Sequence, residues 1–339
     1  MNWWKLFKRK AFQRKKFAGS SRRSFSTQSN WRPPGKRMGC DYAIETQGLT
    51  KQYGSVGAVR SLNLGVCAHQ ITGLLGRNGA GKSTTLRMLL GMTSPSRGSG
   101  TVLGRSIRDV RQNRETRRHV AYVGEDKELY GYMSVEQLIR FTASFYADWR
   151  PDTAQHLQRQ YDLQPSRRVS DLSKGMRTKL ALLLALSRRP ALLILDEPTE
   201  GLDPVVIEDL LRTLVAATNE GTTVFFSSHQ IAEVERISDR VCIIDHGKLV
   251  ADLSLDEMRQ DYRRVTLGFA RQPAEHDFDM FGVEQVQTRG RQMVVRTNHN
   301  TEAIVERARS LEAVSIDVAP VTLREVFLEA VKDGHDALL

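Results

Sequence analysis

An α/β fold, followed by a smaller α+β unit, is what this sequence predicts, and three observations point to it. The first is the run ITGLLGRNGAGKSTTLRMLLGM (71–92), where an apolar strand-like segment enters a glycine-rich loop that opens a helix-like one. The second is ALLILDE (191–197), an apolar run bounded by Pro190 and ending in two acids, as expected of a strand covered on both faces. The third is a change of texture after about Leu253, where short strand-like and helix-like runs alternate.

The 339 residues suffice for one large or two modest domains, and 40% hydrophobic with 26% charged residues describes an ordinary globular composition. Runs such as LALLLAL fall far short of the ~18–20 apolar residues that cross a bilayer, so any membrane span must come from another chain. Cys40, Cys67 and Cys242 fit no metal or disulfide spacing, and reduced thiols are expected.

The net charge of +11 is local. Residues 1–40 hold 12 Lys/Arg and no acid, whereas the rest holds 38 basic and 39 acidic side chains. The balanced body argues against a nucleic-acid footprint. The basic tail admits four readings. It is disordered by composition, a basic amphipathic segment with Trp4, Phe7 and Ala11 on one face, a transit peptide, or a stretch upstream of a start at Met38.

From Asp41 the pattern is globular. SLNLGV (61–66) alternates with period two as a half-buried strand. A long interval with helical character follows Arg87. In it SVEQLIRFTASFY opens with Ser134 and Gln137 at capping-box spacing, with Val135, Leu138, Ile139 and Thr142 on one face. This reads as an inserted helical subdomain at about 115–175. TVFFSSH (223–229) is a further strand, and VCIIDHGKLVADL a hairpin turning at His246-Gly247. Beyond it, VTLGFA, QMVVRT and VSIDVA read as strands, and TEAIVERARSL and TLREVFLEAV as helices. Thr322 and Glu325 repeat the capping-box spacing. The expected divisions are a tail at 1–40, a nucleotide-binding domain at 41–253 and an accessory domain at 254–339.

GRNGAGKSTT (76–85) satisfies the phosphate-loop pattern through Gly76, Gly81, Lys82 and Ser83. Glycines let successive N–H groups curl around phosphate oxygens, and the following helix points its positive end at the same anion. Arg77, Asn78, Gly79, Ala80 and Thr84 complete the cradle. Lys82 reaches the terminal phosphates, and the Ser83 hydroxyl suits Mg²⁺. Asp196, at the end of an apolar strand, can hold the metal shell, while Glu197 beside it can polarise an attacking water.

GRNGAGKSTT, LSKGM (172–176), LLILDEPTEGLDP and SSH, in this order, resemble the ATP-binding subunits of ABC transporters over about residues 43–250. The closing VTLREVFLEAV is similar to the end of the subfamily serving drug and antibiotic exporters. The resemblance implies a P-loop NTPase core with an antiparallel β subdomain, an inserted helical subdomain and a small C-terminal α+β appendage. It implies ATP and Mg²⁺ as cofactors, and two cassettes meeting head to tail around ATP. Tyr53 would stack on adenine. Ser173, Lys174 and Gly175 would touch the partner's ATP, as a helix N-terminus can. His229 would meet the γ-phosphate and the attacking water, and Asp203 the dimer seam.

Two positions depart from that family's pattern. Glu125 stands where glutamine is usual, with Asp126 and Glu128 as neighbouring candidates; a carboxylate can still ligate Mg²⁺ but loses the amide donor. LSKGM puts Lys174 where a second glycine is usual, either beside a partner's ATP or turned to solvent.

The function expected is an ATPase subunit driving export through a separate membrane-spanning permease, paired with a second ATPase copy and peripheral on the inner face of the cell membrane. The alternative is a soluble ABC-type ATPase acting on nucleic acid, ribosomes or cluster assembly. A single phosphate loop, no sustained heptads and a balanced body speak against it. A kinase shares the loop but leaves LSKGM unexplained.

Overall fold

The computed structural model describes residues 40–271, 275–297 and 300–336. The expectations for the basic tail and for Met38 lie outside the described residues. The chain divides into two compact units, the first ending at Asp252 and the second beginning at Leu253.

In the first unit, β1 (Tyr42–Tyr53), β2 (Val56–Leu62) and β3 (Gly65–Cys67) lead into β4 (Ile71–Leu75), the glycine loop and α1 (Lys82–Leu89). Then come β5 (Arg97–Val102), β6 (Arg105–Ser106), α2 (Val110–His119) and β7 (Val120–Val123). Helices α3 (Val135–Ala143), α4 (Pro151–Gln160) and α5 (Lys174–Leu186) precede β8 (Leu192–Leu195) and α6 (Pro204–Asn219). The unit closes with β9 (Thr223–Ser228), α7 (Ile231–Ile237), β10 (Arg240–Asp245) and most of β11 (Lys248–Ser254), whose last two residues fall past the division.

Two sheets result. One has the order β2-β1-β5-β6, with β3 also on β1; the other has the order β11-β10-β4-β9-β8-β7. From β10 to β7 the second sheet is parallel. Every residue of β4 and β8 is buried, because helices and the first sheet leave these strands no solvent face. The main core lies around α1, where Leu86, Met88 and Leu89 pack with Ile44, Leu62, Leu74, Ile194 and Phe225.

A second core gathers Val135, Leu138, Leu157, Tyr161, Leu180 and Leu183 of the helical region. Ser134 and Gln137 form the expected capping box at the start of α3. An interval opened at residue 115, however, cuts α2 in two and takes in β7. VAYV belongs to the parallel sheet because Val120 to Val123 pair in register with Leu192 to Leu195.

Two further expectations are corrected. SLNLGV is not one strand: β2 stops at Leu62 and β3 starts at Gly65, while Leu62, Leu64 and Val66 stay buried. Asn63 turns its side-chain oxygen to the Gly48 N–H at 2.6 Å, and the Leu64 N–H goes to Thr46 Oγ1 at 2.8 Å, which interrupts the ladder. The cysteines are not all thiols. Cys40 and Cys67 form a disulfide, with Cα atoms 5.8 Å apart, and Cys242 is a buried thiol. The antiparallel pairing of Tyr42 with Cys67 sets the two side by side, a neighbourhood that a separation of 27 residues does not reveal.

In the second unit, α8 (Leu255–Asp261) precedes β12 (Arg263–Gly268), a short 3₁₀ turn (Glu275–Phe278), β13 (Val283–Arg289) and β14 (Gln292–Thr297). Then α9 (Thr301–Ser310), β15 (Ser315–Pro320) and α10 (Leu323–Asp336) follow. An antiparallel sheet of order β13-β14-β12-β15 packs Val265, Leu267, Met293 and Val295 against Ile304 and Ala308 of α9. Thr322 and Glu325 exchange the capping bonds their spacing suggested. Strand β13 and helix α8 were not read from the sequence. Among the described residues no helix is long and apolar enough to cross a membrane.

Candidate active site

Parallel strands deliver the site. β4, β9, β8 and β7 lie side by side, and their carboxyl ends lead respectively to the glycine loop, His229, the pair Asp196-Glu197, and Glu125. Ligands of open α/β sheets bind at this edge, because loops diverge there.

The glycine loop is shaped by close backbone approach. A Cβ at Gly76 would lie 2.5 Å from the Ile244 carbonyl oxygen. Gly81 has φ 104° and a Cβ there would lie 2.4 Å from the Ala58 carbonyl oxygen, so only glycine fits. Arg77, Asn78 and Gly79 are exposed at the tip, Ala80 is buried, and Thr84 is half-buried. Lys82, 5% exposed, donates to the carbonyls of Gly76 at 2.8 Å and Arg77 at 3.3 Å.

Ser83 Oγ donates to Asp196 Oδ1 at 3.1 Å, and Ser227 Oγ donates to the same oxygen at 2.6 Å. Hard oxygens this close are the donor set that magnesium takes. Glu197, 5% exposed, has a φ of 44° and gives its N–H to Ser227 Oγ at 2.9 Å. Its Oε1 lies 2.9 Å from Lys82 Nζ, an ion pair at an angle off the hydrogen-bond direction. Oε2 lies 2.9 Å from His229 Nδ1. The expected base, histidine, lysine and metal-holding acid thus converge on one point.

Glu125 is placed differently. It is exposed, and its carboxyl shares a hydrogen bond with Glu200. That bond, with burial and the charges of Glu200, Asp196 and Asp126, holds its pKa above the usual carboxylate range. Tyr53 stands half-exposed at the tip of the β1–β2 hairpin, whose second strand abuts Gly81. Lys51 Nζ sits 4.9 Å from its ring centroid.

Ser173 caps α5 through Met176 N–H, and Gly175 packs against Val206 of α6. Asp203 caps α6, accepting from Val205 and Val206 N–H at 3.1 and 3.0 Å. Lys174 lies with its Nζ across Gly201, where a Cβ would come within 2.9 Å. The signature segment and the turn carrying Asp203 are therefore neighbours in one chain. Ser227, Thr199 and Glu233 were not singled out from the sequence, although Ser227 opens SSH, Thr199 lies within LLILDEPTEGLDP, and Glu233 stands four residues beyond His229.

A glycine-loop lysine, a strand-end carboxylate and a second acid on a parallel sheet define a P-loop nucleotide-binding ATPase. The sequence matches the ABC transporter family over residues 59–200. The bacitracin transport ATP-binding protein of Bacillus licheniformis is 35% identical over 224 residues, spanning 65% of this chain and 72% of that protein. The Nod factor export ATP-binding protein I of Neorhizobium galegae is 34% identical over 297 residues, spanning 84% of each. Among solved structures, an ATP-binding subunit of an ABC transporter is 30% identical with a TM-score of 0.58, covering 64% of this chain and 92% of that one. A dimeric bacterial ABC transporter cassette shares the fold at 21% identity and a TM-score of 0.57, covering 62% and 98%.

The chain belongs to the ATP-binding subunits of ABC transporters. It binds and hydrolyses ATP in transport, coupled to a membrane partner. Such a subunit pairs with a transmembrane permease, a second ATPase copy, or both.

Proposed function

We propose that this subunit drives export, its cargo being handled by a separate permease that holds it on the inner face of the cell membrane. A relative named for Nod factor export supports that direction. Residues 41–253 serve as the ATPase, and 254–339 as an accessory domain.

The reading of the site rests on one observation: Lys82, Asp196, Glu197 and His229 meet at the ends of adjacent strands. Residues 76–84 cradle the phosphates, with Lys82 on the terminal ones. Tyr53 offers its ring to adenine. Ser83 and Asp196 hold Mg²⁺, with Glu125 as a further oxygen; bound there, the ion neutralises charge on the phosphates. Glu197 takes the proton of the attacking water, and His229 fixes that carboxylate and faces the γ-phosphate. Ser173, Lys174 and Gly175 reach the partner's ATP, and Asp203 borders the seam.

The test is the full chain bearing Glu197→Gln. ATP binding should persist, turnover should fall by about 10²–10⁴-fold, and a dimer should accumulate with ATP. Normal hydrolysis by that variant would remove Glu197 as base. Copurification with a multi-span membrane protein, whose cargo stimulates ATP turnover, is the expected result for export. A cargo moved inward overturns the direction.

A further inference from the structure

Glu233 lies in the first turn of α7 and is 7% exposed. Its Oε2 accepts a hydrogen bond from Thr199 Oγ1 at 2.5 Å, while its Oε1 is buried without a partner. Burial is the main force pushing its pKa above the usual range. The Thr199 bond opposes this, the Glu197 charge adds to it, and His229 and Ser228 pull back. So buried and incompletely bonded a carboxyl is costly to keep, and the proposed hydrolysis makes no direct use of it.

Its placement supplies a use. Thr199 is two residues beyond Glu197, and Glu233 four beyond His229. Beside the bonds that Ser227 makes to Asp196 and to the Glu197 N–H, the loop of Glu197 and the segment of His229 are fastened by Glu197–His229 and, further along both, by Thr199–Glu233. Glu197 holds a φ of 44°, a strained conformation that persists only when its surroundings over-determine it.

We infer that Glu233 is a positioning residue for ATP hydrolysis, which locks the Glu197 loop to the His229 segment through Thr199. This rests on Glu197 acting as the base. The experiment is steady-state ATP turnover of the full chain with Thr199→Val, Glu233→Ala, Glu233→Gln and the double variant T199V/E233A. Each of the first two should lower kcat about tenfold or more, with KM for ATP within about twofold. The double variant should be no worse than the poorer single, since both break one bond. Glu233→Gln, whose amide oxygen can accept the same bond, should recover most of the rate.

Full kcat in T199V, additive losses, a loss confined to KM, or E233Q as slow as E233A would each overturn the inference. Should E233A fail to fold by circular dichroism, T199V and E233Q decide alone, one slow and one fast. The base assignment is read separately from E197Q in the native background, so its failure is distinguishable from loss of the Thr199–Glu233 coupling.

Discussion

His229 Nδ1 lies 2.9 Å from Glu197 Oε2, and the same oxygen accepts the His229 backbone N–H at 3.3 Å. A carboxylate only accepts, so Nδ1 is the donor in this bond. On the other side of the carboxylate, Lys82 Nζ approaches Oε1 at 2.9 Å. The carboxylate proposed as the base is thus held from two sides, by the phosphate loop and by the segment that follows β9.

Lys82→Ala removes the buried cation shared by the loop carbonyls and Glu197. A charged hydrogen bond is worth about 1.5–3 kcal/mol, so ATP affinity should fall about 10- to 100-fold. Isothermal titration of the full chain measures it, and unchanged affinity would remove Lys82 from the phosphate cradle.

Gly81→Ala should cost about 1–3 kcal/mol, since the residue sits at φ 104° and its new Cβ meets the Ala58 carbonyl. The melting temperature should drop by a few degrees and ATP affinity should drop with it. A stable variant that binds normally would mean that the loop can take another path.

Reduction of Cys40–Cys67 should destabilise the first unit by about 2–4 kcal/mol through the freed loop of 27 residues. Thermal melts with and without a thiol reductant test this. Cys67→Ser should melt low in both conditions, and wild type insensitive to reductant would contradict the bridge.

The folded-state pKa of Glu233 is raised. Between the ordinary glutamate pKa and that raised value, the unfolded chain gives up the proton while the folded chain keeps it. Stability therefore falls as pH rises through this window. Glu233→Gln does not titrate, so its melting temperature should gain on wild type as pH climbs from about 4.5 upward. Parallel curves across that range would show that Glu233 ionises alike in both states.

The phosphate loop, the strand ending in Asp196 and the alternation of the second unit were legible because each is local. Gly76 to Ser83 reads as strand, turn and helix without reference to anything distant. Strand β7 was not legible: VAYV is short and takes its place in the sheet from pairing with Leu192 to Leu195. The disulfide was hidden for the same reason, since only the β1–β3 pairing brings Cys40 to Cys67.

At the site, the sequence by itself determined which residues are the candidates: a lysine behind glycines, an acid at the end of an apolar strand and a second acid next to it. It could not say that Ser227 bridges Asp196 to the Glu197 backbone, that Glu125 turns to Glu200, or that Glu233 braces Thr199. Those are contacts between segments that are dozens of residues apart. Residue identity and near-neighbour spacing encode backbone shape, whereas side-chain partners are fixed only when parallel strands align their ends and burial forces each polar atom to find a partner.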